Sequence, residues 1–467
     1  MRVRWRPGRA VVRAAVVVGT VVVAAATMGS GAAALRGASG ARPDPPSSAA
    51  GGERLQILYS PPVLVRAGER VVVPVDVVCG TTHGTACPAR VSVRAAAGAG
   101  PYRGAAAAVS PGLGFDLSAA ALAASRQGVG FVRFSVEAQG GGGTRTSLPE
   151  GPSGAALRFY VASSMPAVRV PAIPFDRVRR GRTVLSLPWG TGPSHAGVAV
   201  GDGDAPVGPS SFDVGRRGGI YLLDTEQSRL AVFAGGGFLR ATHIPVASRS
   251  DVAVSADGTA FVLSASASGR LAVTPVDASG AARLWLTAGT GIAGAVRSVG
   301  GSAYVHVLPL DAWVRVPGSR TGEAGSAAWS TDAPGAGEPL SDGRQLLSVE
   351  RGRRVRLATV VDGRVRDAIE LIFRRELGEV ALAEPDRAGG YLVVVHVWRD
   401  GFRPADAYQA VRVDGGRVVS TFLLPSRAYA SGSPQSTVRV GPHGRLYQLE
   451  TRADGLRIVR YEMGGVS

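Results

Sequence analysis

One unit recurs along the C-terminal part of this chain: a short apolar strand, a turn containing Gly, then an aromatic-led strand. It reads PSSFDVGRRGGIYLLD, DVAVSADGTAFVLS, AVRSVGGSAYVHV, PLSDGRQLLSV, VALAEPDRAGGYLVVV and TVRVGPHGRLYQLE. Measured at Phe212, Val252, Val296, Leu340, Val380 and Val438, the copies lie 40, 44, 44, 40 and 58 residues apart. Four-stranded propeller blades repeat at about 40–50 residues, so six copies predict a six-bladed β-propeller over residues 182–467. The last interval is long because WRDGFRPADAY inserts a loop between Trp398 and Tyr408. The sixth copy ends at Arg457 to Met463, before a fourth strand can form. A ring must pair its ends, so the unassigned strand Thr183 to Pro188 upstream of the first copy is expected to close it.

The first copy parses most fully, into strands at Phe212 to Val214, Ile220 to Asp224, Arg229 to Phe233 and Phe238 to Ile244. This stretch, PSSFDV…GGIYLLDTEQSRLAVFAGGGFL, resembles the NHL-type repeat of six-bladed propellers, with Asp224 and Arg229 at the matching positions. The other copies keep the strand pattern and lose that Asp and Arg. The resemblance covers residues 205–463 and implies the fold. NHL-like propellers include binding scaffolds and some lyases or lactone hydrolases, so it does not imply an activity.

The preceding part is also β-rich. Val71, Val73, Val75 and Val77 alternate with other residues, the pattern of a half-buried strand. Further strands read at Leu55 to Tyr59, Ala89 to Arg94, Gly130 to Glu137 and Ala155 to Ala162. A short helix is expected from Ser118 to Gln127, capped by Ser118 and stopped by Gly128. Residues 55–163 are therefore expected to form an immunoglobulin-like β-sandwich. Residues 164–181, punctuated by Pro166, Pro171 and Pro174, read as an extended connector. Gly 65 and Pro 30 supply the frequent turns that an all-β chain needs.

The N-terminus has the three parts of a secretory signal: arginines to Arg13, an apolar run from Ala14 to Met28, then Ala32-Ala33-Ala34. Residues 1–34 are expected to act as a cleaved signal peptide or an uncleaved signal anchor, and 35–54 as a disordered tether. The only membrane contact expected is through that first segment, if uncleaved. Location is then extracellular, secreted or at the outer face of the cell membrane. Cys79 and Cys87 agree with an oxidising compartment and are expected to form a disulfide. A metal site of these two cysteines with His83 lacks a fourth ligand.

All 52 basic residues are Arg, a usage that resembles a GC-rich actinobacterial genome, and the net charge is +17. The arginines look scattered, often beside Asp or Glu, with no basic run interleaved with aromatics. A nucleic-acid partner is not expected.

No HExxH, CxxC, GxSxG, Walker or EF-hand pattern is present, and no cofactor is called for. Gly201 to Asp204 reads as an acidic surface turn. His306 and His396, each in the second strand of a copy, are the candidate metal ligands, set one strand out from the axis. His195, His243 and His443 fall in loops or outer strands. Asp213, Asp251, Asp342 and Glu379 lie beside first strands, where some would rim an axial channel. The leading expectation is a binding protein recognising a protein, glycan or small molecule through its propeller. The alternative is a metal-dependent lyase or hydrolase with an axial site.

Overall fold

The computed structural model describes residues 55–464 with interruptions, the longer ones at 149–156, 317–326, 329–336 and 427–435. The expected signal segment, the tether, Cys87, His83 and Gly201 to Asp204 lie outside the described residues. The chain is all-β, with one α-helix among the described residues (Ser118–Arg126).

Six sheets form the propeller, each built on three or four strands that follow one another in sequence and pair antiparallel, with a strand from elsewhere in the chain added to the outer edge of three of them; in the second sheet this is Ala327–Ala328, which pairs parallel. Their innermost strands are Ser211–Val214, Asp251–Val254, Ala293–Val299, Glu338–Pro339, Leu377–Pro385 and Val438–Val440, here numbered blades 1 to 6. Blade 1 has the four expected strands, ending with Arg229–Ala234 and Gly237–His243. Blade 3 shows three strands among its described residues. Blade 6 takes its fourth strand from Arg182–Leu187, which pairs antiparallel with Gly455–Tyr461. The ring is thus closed by the segment that the missing fourth strand of the sixth copy called for, and Leu185 and Leu187 bury there against Ile458 and Leu456.

Apolar residues shared between neighbouring sheets hold the ring. Such clusters join blades 6 and 1, 1 and 2, 2 and 3, 4 and 5, and 5 and 6. Alternation makes this possible, since Leu222 faces blade 6 while its neighbour Leu223 faces blade 2.

Residues 55–162 form two further sheets sharing one core of Val73, Val75, Val77, Phe115, Val91, Val93, Phe134 and Phe159, among others. The helix forms as expected and ends at Gly128, whose φ of 65° suits a residue without Cβ. Its cap differs: Ser118 is the first helical residue, and its Oγ accepts the Val71 N–H at 2.8 Å instead of capping its own helix.

This N-terminal unit rests on blade 4. Leu64, Tyr160, Ala162 and Met165 pack on Leu347, Ala358, Val360 and Ala368, the face of blade 4 turned away from blade 5. Beside them Arg356 donates to Glu69 at 2.8 and 2.9 Å and to Glu370 at 2.9 Å, and Glu370 is 2% exposed. Burial pushes the Glu69 carboxyl up, but the bonds from Arg356 and from the Arg66 backbone N–H outweigh it and hold the group below its ordinary value.

The connector then follows the rim. Ala167–Arg169 adds a parallel strand to the outer edge of blade 4. Pro171 O accepts from Gln409 and Ile173 O from Arg375, and Val178 bridges Leu423 on the outer strand of blade 5. The next strand is the one that closes blade 6. Outer edges that would otherwise stand open are covered along this path.

Candidate functional site

Each blade sends one ionisable side chain from its innermost strand into a network about the axis: Asp213, Asp251, Arg297, Glu338, Glu384 and Arg439. Arg439 of blade 6 donates to Phe212 O of blade 1 at 3.0 Å, and to Asp251 Oδ1 (2.8 Å) and Val252 O (3.0 Å) of blade 2. Arg297 of blade 3 donates to Glu338 of blade 4 and, in a fork at 2.8 and 2.6 Å, to Glu384 of blade 5. Each arginine therefore spans three blades. Asp251 joins the two halves by accepting the Val296 N–H of blade 3 at 2.9 Å.

The electrostatics follow from burial. Desolvation raises Asp213 above the ordinary carboxylate value despite Arg439 and the backbone N–H groups of Val214 and Val254. Desolvation likewise raises Glu338, with Arg297 opposing and Glu384 adding to the shift. Burial disfavours the Arg297 cation, but Glu338 and Glu384 overcome that and strengthen its hold on the proton. The charges are chiefly engaged with one another, as expected of buried ions.

Asp213 and Asp251 were legible as axial candidates; Arg297, Glu338, Glu384 and Arg439 were not. Asp342 lies in the turn after the innermost strand of blade 4 and pairs with Arg344 at the surface. Glu379 is exposed, and Glu384 supplies the blade 5 carboxylate instead. Two register shifts in that innermost strand, between Leu377 and Leu382, change which residue turns inward.

His306 and His396 stay one strand out, each against aromatic rings. His306 stacks on Trp313 across the strand pair, with centroids 5.1 Å apart. His396 lies 4.6 Å from Trp398 edge-on and 5.3 Å from Tyr408. Gly378 makes the second cluster possible: a Cβ there would meet His396 Nδ1 at 2.5 Å and Trp398 Nε1 at 2.9 Å. Trp398 remains 42% exposed at the end of its strand. Among the described residues, no three His, Cys, Asp or Glu are grouped to hold a metal ion.

Asp224 and Arg229 do structural work. The Asp224 carboxylate, 0% exposed, accepts Gly197 N–H and the Arg229 guanidinium, which also donates to His195 O at 2.6 Å. The pair fastens the segment before blade 1 to that blade.

No family model and no curated protein matches the chain. Solved structures do. Virginiamycin B lyase from Staphylococcus aureus is similar at 8% identity and a TM-score of 0.34, covering 54% of this chain and 95% of its own. A gluconolactonase from Xanthomonas campestris is similar at 12% identity and 0.30, covering 61% and 100%. A protein of unknown function from Bacteroides caccae is similar at 15% identity and 0.32, covering 49% and 92%. The propeller itself is read from the sheet order above.

Proposed function

We propose that the chain is an exported binding protein whose propeller recognises a cell-envelope or extracellular glycan at the aromatic cluster of blade 5. The observation that carries this reading is Trp398: a large indole, 42% exposed, backed by His396 and Tyr408 over a glycine. The apolar face of a sugar ring packs on an indole while its hydroxyls reach an imidazole and a phenol. Aromatic surface with a few polar groups is what ligand sites are made of. Tyr408 also finishes the core between blades 5 and 6, where it packs beside Val394 and Leu446. That accounts for Tyr408 and leaves the exposure of Trp398 unexplained.

A second reading, an axial lyase or hydrolase, draws support from Asp213 and Glu338, whose raised carboxyls suit proton donors. Titrating envelope oligosaccharides against the purified protein by calorimetry separates the two. Binding weakened about tenfold by Trp398→Ala, or ~1.4 kcal/mol, and unchanged by Glu338→Gln supports recognition at blade 5. Turnover of the ligand that Glu338→Gln abolishes would move the site to the axis, and no saccharide binding would end the glycan reading.

A further inference from the structure

The rim connector is more than a covered edge. Between Phe175 and the blade 6 strand it reads DRVRRGR, and Arg177, Arg179, Arg180 and Arg182 are all exposed. Among the described residues, no carboxylate lies within ion-pair distance of any of the four, although Asp176 is their neighbour in sequence. Arg179 lies over the Phe422 ring at 4.5 Å, which fixes it against blade 5.

Strand pairing adds a fifth arginine. Arg182 sits directly opposite Arg460 in the antiparallel pair that closes the ring. Like charges directly opposite one another destabilise a sheet, so the closing strand carries a cost that a neutral residue would avoid. Glu462 holds Arg460 at 3.2 Å and is shared with Arg445. The Arg460 Nε is buried and has no hydrogen-bond partner.

We infer that this row of arginines is a docking surface for a linear polymer of phosphate groups. The row is linear because the connector is extended: Arg177 to Arg182 spans at most about 18 Å of backbone. Repeated anions along a flexible polymer match repeated cations along such a line, and the release of bound counterions favours the contact. Phosphate suits the Arg182–Arg460 pair better than carboxylate. Its oxygens diverge tetrahedrally, so two guanidinium groups on neighbouring strands can hold one phosphate from two sides. A planar carboxylate serves one guanidinium at a time in the bidentate mode. This surface is on the outer rim and independent of the aromatic cluster.

The test uses the full protein and fluorescently labelled linear inorganic polyphosphate, read by anisotropy at several salt concentrations. The variant is Arg177→Gln/Arg180→Gln/Arg182→Gln. The charge-matched control is Arg216→Gln/Arg217→Gln/Arg344→Gln, at turns of blades 1 and 4. The rim variant should bind about tenfold or more weakly, with the slope of log K against log salt shallower by about 2, at ~0.7 per contact. The control should stay within about twofold of the parent. Should the rim variant melt at a lower temperature than the parent, Arg180→Gln alone serves, with a slope change of about 0.7.

Equal losses in rim variant and control would show general attraction to a basic protein and overturn the inference. So would an absence of polyphosphate binding at low salt. Tighter binding of polygalacturonate or of single-stranded DNA than of polyphosphate would reassign the surface to another partner and also overturn it.

Discussion

Arg439 of blade 6 reaches past blade 1 to bond Asp251 of blade 2 at 2.8 Å, and Asp251 is fully buried. The same carboxylate accepts Ser211 Oγ at 2.5 Å and the Val296 N–H. One side chain thereby ties together strands that begin and end the ring. Removing the arginine would strand a buried charge, whereas removing both partners would not.

Arg439→Met is therefore expected to destabilise the protein by about 3–5 kcal/mol, the range for breaking a buried pair on one side. Adding Asp251→Asn should recover part of that loss. Chemical denaturation of the two variants and the parent, followed by circular dichroism, checks the pattern. Equal losses in the single and the double variant would show that the pair is not the cause.

Ring closure makes a prediction of its own. Leu185, 2% exposed, packs against the last strand although it lies upstream of blade 1. Leu185→Ala should cost about 2–5 kcal/mol, as for a core position, and a thermal melt reads it directly. A change within about 0.5 kcal/mol, the range of a surface site, would mean that this strand is dispensable.

Acid should loosen the contact between the N-terminal unit and blade 4. The folded protein holds Glu69 below its ordinary value of 4.5, so the native state binds that proton less readily than the unfolded chain. The stability it lends is present above that value and is lost as the pH falls through the lower, folded value. Hydrogen-exchange protection at Leu64, Val65 and Val360, taken relative to the intrinsic rate at each pH, should fall on acidification below 4.5, and Glu69→Gln should shrink that pH dependence. Exchange that is equally pH-sensitive with and without Glu69 would assign the effect to other groups.

Gly378→Ala tests the aromatic cluster without touching its rings. The added methyl needs space that His396 and Trp398 now fill, and overpacking of this kind costs about 1–3 kcal/mol. The expected readout is a shifted tryptophan emission together with weakened saccharide binding. Unchanged emission would mean that the indole already sits clear of the glycine.

Much of the propeller was legible because its signals are local. In blade 1 the alternation around Leu222 and the Gly turn before Ile220 placed each strand within a residue or two. Closure was legible from an inventory: one blade lacked a strand and one strand lacked a blade. The axial network was not, since Arg297 and Glu384 lie 87 residues apart and nothing local in either strand announces a partner. Glu379 was the candidate in blade 5, and the register shifts that place Glu384 in the network instead leave no mark in the sequence. The rim arginines were missed for a related reason. Spread through a Pro-rich connector they look like solvated charge, and only the pairing of Arg182 with Arg460 shows them gathered. Ser118 was misassigned because a serine before an alanine-rich run looks like a cap, whereas its hydroxyl serves Val71 across the fold.

The closing pair also sets a schedule for biosynthesis. Strand Arg182–Leu187 leaves the ribosome long before its partner Gly455–Tyr461 exists. At about 5–20 residues per second the wait is on the order of ten seconds to a minute. During that time a nascent chain displays an unpaired strand, and the arginine and threonine at its start discourage neighbouring chains from joining it. Truncation anywhere in the last blade would leave that edge permanently available, so shortened products of this chain are expected to aggregate rather than fold into smaller rings.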